Sequence, residues 1–336
     1  MKKKISLMLA AALTAGLART GCGGSKTSDT TDNTAGAENE STAEVKGVDV
    51  DTTGYLVAAL NADIQTADVQ KTSKDYEVPF NIFDRLVDVE VGTDGNSKIV
   101  PSLAESWDIS DDGLEYTFHL RQGVKFHNGN DFTAEDVAYT FHRMLTVEGG
   151  VNTEFIDQIK GADELLAGET DTLEGVEVVD DYTIKVTLKE PFAGFLASIS
   201  SPGVSIYDSE ATEAAGDQFG MDPAVTVGTG PFEFSSWSFN NQLVLTRNED
   251  YWKGASGLPG VVIKIIPDTE TQSMMFESGE LDILDLDYAA DSVDRFTETY
   301  PDQLCRNTCL FQLFICHLCD FFHDFSNFCC SFLFCK

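Results

Sequence analysis

The sequence predicts a mixed α/β body, because segments with strand periodicity alternate with segments of helical periodicity. Two β-hairpins are the first observation behind this prediction. Residues 176–188 alternate on both sides of Asp180 and Asp181, and residues 230–248 repeat the pattern around Asn240 and Asn241. Because hairpins and helices follow one another along the chain, strands and helices are expected to share one layered body.

A strongly amphipathic helix is the second observation. Residues 132–145 read FTAEDVAYTFHRML, with Thr133 as the expected N-cap. Glu135 and Asp136 fall in the first turn, where the positive end of the helix dipole favours acidic side chains. The expected buried stripe consists of Val137, Phe141 and Leu145.

The remaining elements follow from the same two periodicities. Strands are predicted at residues 55–60, 103–109, 116–120, 261–267 and 281–286. Helices are predicted at residues 80–87 and after Asp268, which is the expected cap of the second one.

Charge restricts the classes of function that suit the chain. The 336 residues carry a formal net charge of −34. A surface this acidic repels nucleic acids and anionic lipid headgroups, so we expect no nucleic-acid partner.

The first 51 residues predict export. Three lysines precede a short apolar stretch in residues 1–22, which is typical of a secretion signal. Cys22 follows that stretch as in a lipobox and is the predicted lipidation site, although Arg19 stands where a lipobox usually has Leu. The alternative is an ordinary cleaved signal with an incidental Cys. Residues 23–51 are acidic and poor in large apolar side chains, so they predict a flexible linker.

Three motif blocks carry a family resemblance. Residues 99–145, 227–254 and 277–283 are similar to the bacterial extracellular solute-binding proteins of family 5, the oligopeptide, dipeptide and nickel group that serves ABC importers. A weaker echo lies at residues 300–304. Together the blocks cover the chain from about Tyr55 to Leu304.

The resemblance implies a class II periplasmic-binding-protein-like fold with two lobes that close on a ligand by a hinge motion. It places a discontinuous lobe one at residues 52–85 and 223–300, with an inserted subdomain at 86–222. The chain is thus expected to contain lobe one and its insertion only. The implied function is capture of a ligand outside the cytoplasm and delivery to the permease of an ABC importer, with an N-terminal lipid as the membrane anchor. The resemblance implies neither an enzyme nor a cofactor.

A peptide is the ligand that the resemblance favours. In peptide-binding members the ligand backbone pairs with exposed strand edges. The lobe-one edge is expected in the polar segment made up of Lys71, Thr72, Ser73, Lys74 and Asp75. The alternative interpretation of this segment is a plain solvated loop, and the segment lacks the Pro-containing pattern usual in the family.

The last 32 residues differ from the rest of the chain. Residues 305–336 hold seven of the eight cysteines, together with many phenylalanines. Their residue types have thymine-rich codons, so we interpret the tail as out-of-frame sequence. A metal site around Cys316 and Cys319 is the alternative, with His323, Cys329, Cys330 and Cys335 nearby. A disulfide framework would leave one of the seven thiols unpaired.

Two rival functions remain open. A secreted hydrolase lacks support, since the chain has no GxSxG elbow, HExxH pair or Walker loop, and His119, His127 and His142 each stand alone. A family member that binds an oligosaccharide or a nickel chelate is the second rival. Trp237 and Trp252 are the candidates for stacking on a sugar, but both lie in scaffold motifs, and core packing is the favoured role.

Overall fold

The computed structural model describes residues 45–91, 96–285, 292–300, 304–306 and 313–316, all within the compact unit formed by residues 43–336. The strands are β1 (Val45–Gly47), β2 (Leu56–Leu60), β3 (Val87–Val91), β4 (Ser97–Pro101), β5 (Ala104–Ile109), β6 (Glu115–Leu120), β7 (Val176–Asp180), β8 (Thr183–Thr187), β9 (Phe232–Ser238), β10 (Gln242–Arg247), β11 (Gly260–Ile265), β12 (Ile283–Asp285), β13 (Leu304–Arg306) and β14 (Leu313–Cys316). The α-helices are α1 (Pro79–Ile82), α2 (Ala134–Thr146), α3 (Ala162–Leu166), α4 (Phe195–Ile199), α5 (Ser209–Ala215), α6 (Thr269–Ser278) and α7 (Val293–Thr299). Within these described ranges, no helix combines the length and the apolar character that crossing a bilayer would require.

A five-stranded sheet forms one half of the fold, with the strand order β1-β9-β10-β11-β2. Strands β9, β10 and β11 pair antiparallel as a meander, and β2 adds to β11 in parallel, with Leu56 opposite Val261. The strands β10 and β11 are rich in Val, Ile and Leu, as expected of strands buried in a sheet. The two earliest strands, β1 and β2, therefore lie at opposite edges of a sheet whose central strands come about 200 positions later.

A four-stranded antiparallel sheet forms the other half, with the order β5-β6-β8-β7. Tyr116 and Phe118 of β6 face Val186 and Ile184 of β8 and turn their rings to the buried face. Helix α2 covers that face and buries Phe141 against it. The sheet therefore has one buried face and one polar face, the usual arrangement for antiparallel strands.

Two large hydrophobic cores correspond to the two sheets. The first core draws its buried residues from the range 86–206, around β5 to β8 and α2. The second draws on residues 56–83 and 207–283, around the five-stranded sheet. Tyr207 and Phe219 pack in the second core, although they precede residue 223, where the second part of lobe one was predicted to begin. The predicted lobe and insertion boundaries stay a prediction.

The strongest sequence patterns are confirmed. Both hairpins form, as β7–β8 and β9–β10, and Asn240 adopts the left-handed conformation with φ 54° in the second turn. Helix α2 begins after Thr133 and buries its predicted stripe of Val137, Phe141 and Leu145. Helix α6 begins after Asp268, whose carboxylate accepts a hydrogen bond from the Thr271 N–H at 2.8 Å.

The helix predicted at residues 80–87 is shorter than expected. It ends at Ile82, because the peptide groups that follow bond to another segment. The Gly230 N–H donates to the Ile82 carbonyl at 3.0 Å, so this carbonyl is not available to the N–H of Leu86, as another helical turn would require. The Leu103 N–H then donates to the Arg85 carbonyl at 3.0 Å, and the chain enters β3 at Val87.

Several predictions fall outside the described residues. The signal, Cys22 and most of the linker belong to residues 1–44. Of the Cys-rich tail, backbone is described only at residues 305–306 and 313–316, where β14 lies between β12 and β13. Whether the tail is out-of-frame sequence stays a prediction.

Candidate functional site

The predicted ligand segment, residues 71–75, is an irregular loop held between two buried regions. It follows the fully buried residues Ala67, Asp68, Val69 and Gln70 and precedes helix α1. Thr72 is buried, whereas Ser73 and Lys74 are exposed. The segment forms turns and bends rather than a strand, so any pairing with a ligand backbone would use individual peptide groups and not a regular sheet edge.

The side chain of Thr72 folds the segment locally. Its hydroxyl donates to the Lys74 carbonyl at 2.8 Å and accepts from the Lys74 N–H at 3.3 Å. Asp75 then adopts the left-handed conformation with φ 63°, and its carboxylate accepts a hydrogen bond from the Gln65 N–H at 3.3 Å. Among the described residues, no partner is found for the peptide groups of Ser73 and Asp75. These groups could pair with the backbone of an extended ligand.

Charges of both signs surround the segment. Lys71 Nζ lies 4.0 Å from the exposed carboxylate of Asp217, and Lys74 is exposed to solvent. Glu77 lies just beyond the segment, and burial, with a smaller contribution from the negative charge of Asp75, raises the pKa of its carboxyl group. Burial likewise raises the pKa of the Tyr76 phenol. The loop therefore offers ammonium and carboxylate groups beside unpaired peptide groups.

A buried ion pair anchors the region that precedes the segment. Arg143 of α2 donates from Nη2 to Asp68 Oδ2 at 2.7 Å and from Nη1 to the side-chain oxygen of Gln70 at 2.5 Å. The Tyr207 hydroxyl donates to Asp68 Oδ1 at 3.0 Å. Burial, followed by the charge of Asp68, raises the pKa of Tyr207 well above its usual value. The phenol therefore stays protonated and remains a donor.

A second buried polar cluster surrounds Asp84 at the end of α1. Its carboxylate accepts hydrogen bonds from Trp252 Nε1 at 2.8 Å, the Tyr251 hydroxyl at 3.1 Å and the Thr229 hydroxyl at 3.1 Å. Lys253 Nζ lies 3.6 Å from the same carboxylate. This cluster joins the start of β3 to the loop after β10, so it acts as scaffold rather than as an open site.

The two tryptophans considered for sugar stacking are scaffold residues, as predicted. Trp237 is buried in the second core, and its indole N–H donates to the Asp63 carboxylate at 3.1 Å. Trp252 packs against the first core and lies between Arg121 and Lys253, with the Arg121 guanidinium 4.8 Å from its ring centre. The Trp237 ring is thus enclosed in a core, and the Trp252 ring is already in contact with two cationic side chains.

The three histidines of the body each contact a different set of residues. His119 Nε2 lies 2.9 Å from the exposed Asp108 carboxylate, and His142 Nε2 lies 3.1 Å from the Asp171 carbonyl. His127 is the most enclosed of the three and bonds to the backbone of Gly228 and Gly230. Within the described part of the chain, none of the three is paired with a nucleophilic side chain, so the geometry there gives no catalytic triad.

Because the His127 ring is enclosed, we expect the folded protein to lose stability in mild acid. The Gly228 N–H donates to Nδ1 at 3.1 Å and Nε2 donates to the Gly230 carbonyl at 3.0 Å, so the ring is neutral with its proton on Nε2. Burial lowers the pKa of His127 from 6.5 to about 4. Between these two values the unfolded chain binds the extra proton, so stability is fully present above pH 6.5 and is lost as the pH falls towards 4.

The expected size of the effect is a decrease of up to about 2 kcal/mol in the free energy of unfolding between pH 7 and pH 5. Urea unfolding at the two pH values measures it. His127→Gln should flatten this part of the pH dependence, whereas the matched variant His142→Gln should keep it. An unchanged pH dependence in His127→Gln would contradict the neutral buried ring.

Metal ligands do not cluster in the described part of the chain: no group of three or more His, Cys, Asp or Glu side chains is placed to hold an ion there. The cysteines and His323 of the alternative metal site lie in the tail, where side chains are not described. The metal interpretation of the tail is therefore untested.

The sheets and helices described above place the chain in the fold class of the periplasmic binding proteins. The sequence profile of the bacterial extracellular solute-binding proteins, family 5 (middle region) matches residues 98–303. The match covers more than half of the chain, and the chain belongs to this family. Its fold is that of the class II periplasmic binding proteins, and members of the family act outside the cytoplasm.

Individual relatives carry names that describe different cargoes. The chain is 38% identical over 214 residues to heme-binding protein A of Haemophilus influenzae, an alignment that covers 60% of this chain and 38% of that protein. It is 34% identical over 200 residues to di/tripeptide-binding protein 2 of Pseudomonas aeruginosa, which covers 56% of this chain and 37% of the relative. The chain thus spans well under half the length of the curated relatives it matches.

Solved structures show the same fold. The periplasmic binding protein DppA of Helicobacter pylori, in complex with the peptide STSA, superposes with a TM-score of 0.62 at 30% identity, over 75% of this chain and 50% of that one. The substrate-binding domain of an oligopeptide ABC transporter from Bacillus anthracis gives a TM-score of 0.66 at 26% identity, over 76% and 48% of the two chains. The chain therefore matches about half of each structure.

Proposed function

We propose that this chain is the part of an extracellular substrate-binding protein that presents one side of a peptide-binding cleft to the ligand. The observation that carries the proposal is the loop at residues 71–75, where unpaired peptide groups of Ser73 and Asp75 stand beside charges of both signs. A peptide presents a hydrogen-bonding backbone together with an ammonium and a carboxylate, so the loop and a peptide are chemically complementary.

The relatives support a peptide as the cargo. One curated relative is named a di/tripeptide-binding protein, another is named a probable D,D-dipeptide-binding periplasmic protein, and the DppA structure holds a bound peptide. In the proposed arrangement, residues 52–85 and 223–300 form lobe one, and residues 86–222 form the inserted subdomain. The two separate hydrophobic cores support a division into two bodies, with Tyr207 and Phe219 packed in the core assigned to lobe one.

Delivery to an ABC importer and attachment through Cys22 are further parts of the proposal. The chain would hand its peptide to the permease subunits of the importer; in support, one similar structure is titled the substrate-binding domain of an oligopeptide ABC transporter. A lipid on Cys22 and a flexible linker over residues 23–51 would keep the folded body close to the outer face of the membrane. Mass spectrometry of Cys22 in the exported protein measures the lipid directly, and an unmodified thiol would contradict this part.

Calorimetry separates the candidate ligands. Because the chain is expected to hold only one of the two lobes that close on a ligand, we expect the purified protein to release a small heat of binding with a tripeptide pool, and none with a cello-oligosaccharide or with nickel-histidine. Mass spectrometry of the peptides after incubation should find them intact, because the protein is proposed to bind and not to hydrolyse. Binding of the oligosaccharide or of nickel-histidine alone would favour the alternative members of the family, and cleavage of the peptides would contradict the binding function.

A further inference from the structure

The ligand loop is fixed by side chains of other segments and not by regular secondary structure. Residues 67–70 are fully buried, yet they belong to no strand or helix. Gln70 Nε2 donates to the Thr140 carbonyl of α2 at 2.9 Å, and the Val151 N–H donates to the Gln70 carbonyl at 2.7 Å. The conformation of the loop therefore depends on contacts with residues 140–152, which lie about 70 to 80 positions later in the chain.

Asn152 makes the contacts that reach the predicted ligand residues themselves. Its side-chain amide nitrogen donates to the Val69 carbonyl and to the Thr72 carbonyl, both at 2.8 Å. The same nitrogen lies 3.2 Å from the Tyr76 hydroxyl, which in turn donates to the Thr72 carbonyl at 3.3 Å. One amide thus ties together both ends of the turn that contains residues 71–75.

The backbone at Asn152 explains which residue types suit the position. Asn152 has φ 69°, in the left-handed region, and only 7% of its surface is exposed. Asn and Gly tolerate this conformation better than other residues. Of these two residue types, only Asn has a side-chain amide. This amide donates to the carbonyls of Val69 and Thr72, which would lose that donor if Gly stood at position 152.

We propose that Asn152 is a positioning residue for ligand binding: its amide holds the turn at residues 71–75 in the conformation that receives the ligand. This inference rests on the proposed function. Asn152 acts through the turn and does not itself contact the ligand. A turn that samples several conformations binds the ligand only from the competent one. The apparent affinity is then the intrinsic affinity multiplied by the fraction of molecules in that conformation.

Two variants separate the effect of the Asn152 side-chain amide from the effect of the Asn152 backbone conformation. Asn152→Gly keeps the left-handed conformation without strain and removes the amide. Asn152→Asp keeps the shape but turns a carboxylate towards the Val69 and Thr72 carbonyls. Asn240→Gly is the matched control, because Asn240 also has a left-handed backbone, with φ 54°, but lies in the exposed β9–β10 turn.

Hydrogen exchange and peptide calorimetry on the full chain are the measurements. We expect exchange at the hydrogen-bonded amides of Lys71 and Lys74 to speed up about tenfold in Asn152→Gly, with exchange in β10 unchanged. Tripeptide affinity should fall about tenfold in Asn152→Gly and further in Asn152→Asp. Asn240→Gly should match the wild type in both measurements. A merely structural role would instead raise exchange across the sheet as well.

The outcomes distinguish this inference from the proposed function. Wild-type exchange at the Lys71 and Lys74 amides in Asn152→Gly would overturn the inference, and so would faster exchange with unchanged tripeptide affinity. If the wild-type protein binds no tripeptide, the proposed function fails and the ligand-directed role of Asn152 fails with it. Normal binding by the wild type together with unchanged binding by both Asn152 variants would overturn the inference alone.

Discussion

Arg143→Met is expected to lower the free energy of unfolding by about 3–5 kcal/mol, because it leaves a buried carboxylate without its partner. Asp68 is fully buried, and the Arg143 guanidinium lies 2.7 Å from its Oδ2. Methionine has a similar length but neither charge nor donors, so Asp68 and Gln70 lose their hydrogen bonds together. Urea unfolding followed by circular dichroism measures the change.

The double variant Arg143→Met/Asp68→Asn tests the cause of this loss. Removing the negative charge of Asp68 should recover part of the stability, since the cost comes from the unpaired charge. Lys185→Met is the matched control, because Lys185 lies 2.6 Å from Glu177 in a pair whose side chains are 31% and 61% exposed. It should cost less than about 1 kcal/mol. Equal losses in Arg143→Met and Lys185→Met would contradict the account of the buried pair.

Gly228→Ala is expected to destabilise the protein by about 3 kcal/mol, because the backbone at this position touches α1 directly. A methyl group on Gly228 would overlap the Ile82 carbonyl oxygen and would lie 2.5 Å from the Phe83 ring. The Gly228 N–H is also the donor to His127 Nδ1, so a shift of the backbone would weaken that bond. Thermal unfolding of the variant and the wild type gives the comparison.

Gly257→Ala is the control for the glycine prediction. No atom lies within 4 Å of the position that its methyl group would take. Its stability should stay within about 0.5 kcal/mol of the wild type, as for most surface changes. A Gly228→Ala protein as stable as Gly257→Ala would contradict the close packing of Gly228 against Ile82 and Phe83.

Sequence patterns predicted the helices and strands whose apolar periodicity is clear within one short segment. The β7–β8 hairpin and helix α2 form where alternation and helical spacing predict them. Helices α3, α4, α5 and α7 were not predicted, since each has only five to seven residues and too few turns for a periodic stripe. The strand β3 was missed although its sequence VDVEV alternates strictly, because the helix-like spacing before it was extended to Val87.

The residues that hold the candidate site in place could not be predicted from the sequence. The loop at residues 71–75 was singled out through the family resemblance, and its role as ligand contact stays a prediction. Asn152 and Arg143 were not predicted as its supports, because their contacts join residues 80 and 75 positions apart. Only the turn residue types, such as an Asn in the left-handed conformation, carried any signal of a fixed loop.

Photo-crosslinking with a tripeptide that carries a photoreactive side chain tests the central claim most directly. Irradiation of the complex followed by digestion and mass spectrometry locates the residues that face the ligand. We expect adducts within residues 71–76, and we expect an excess of unmodified tripeptide to suppress them. Adducts confined to other segments, or adducts in this loop that unmodified tripeptide fails to suppress, would contradict the assignment of the loop as the peptide-binding side of the cleft.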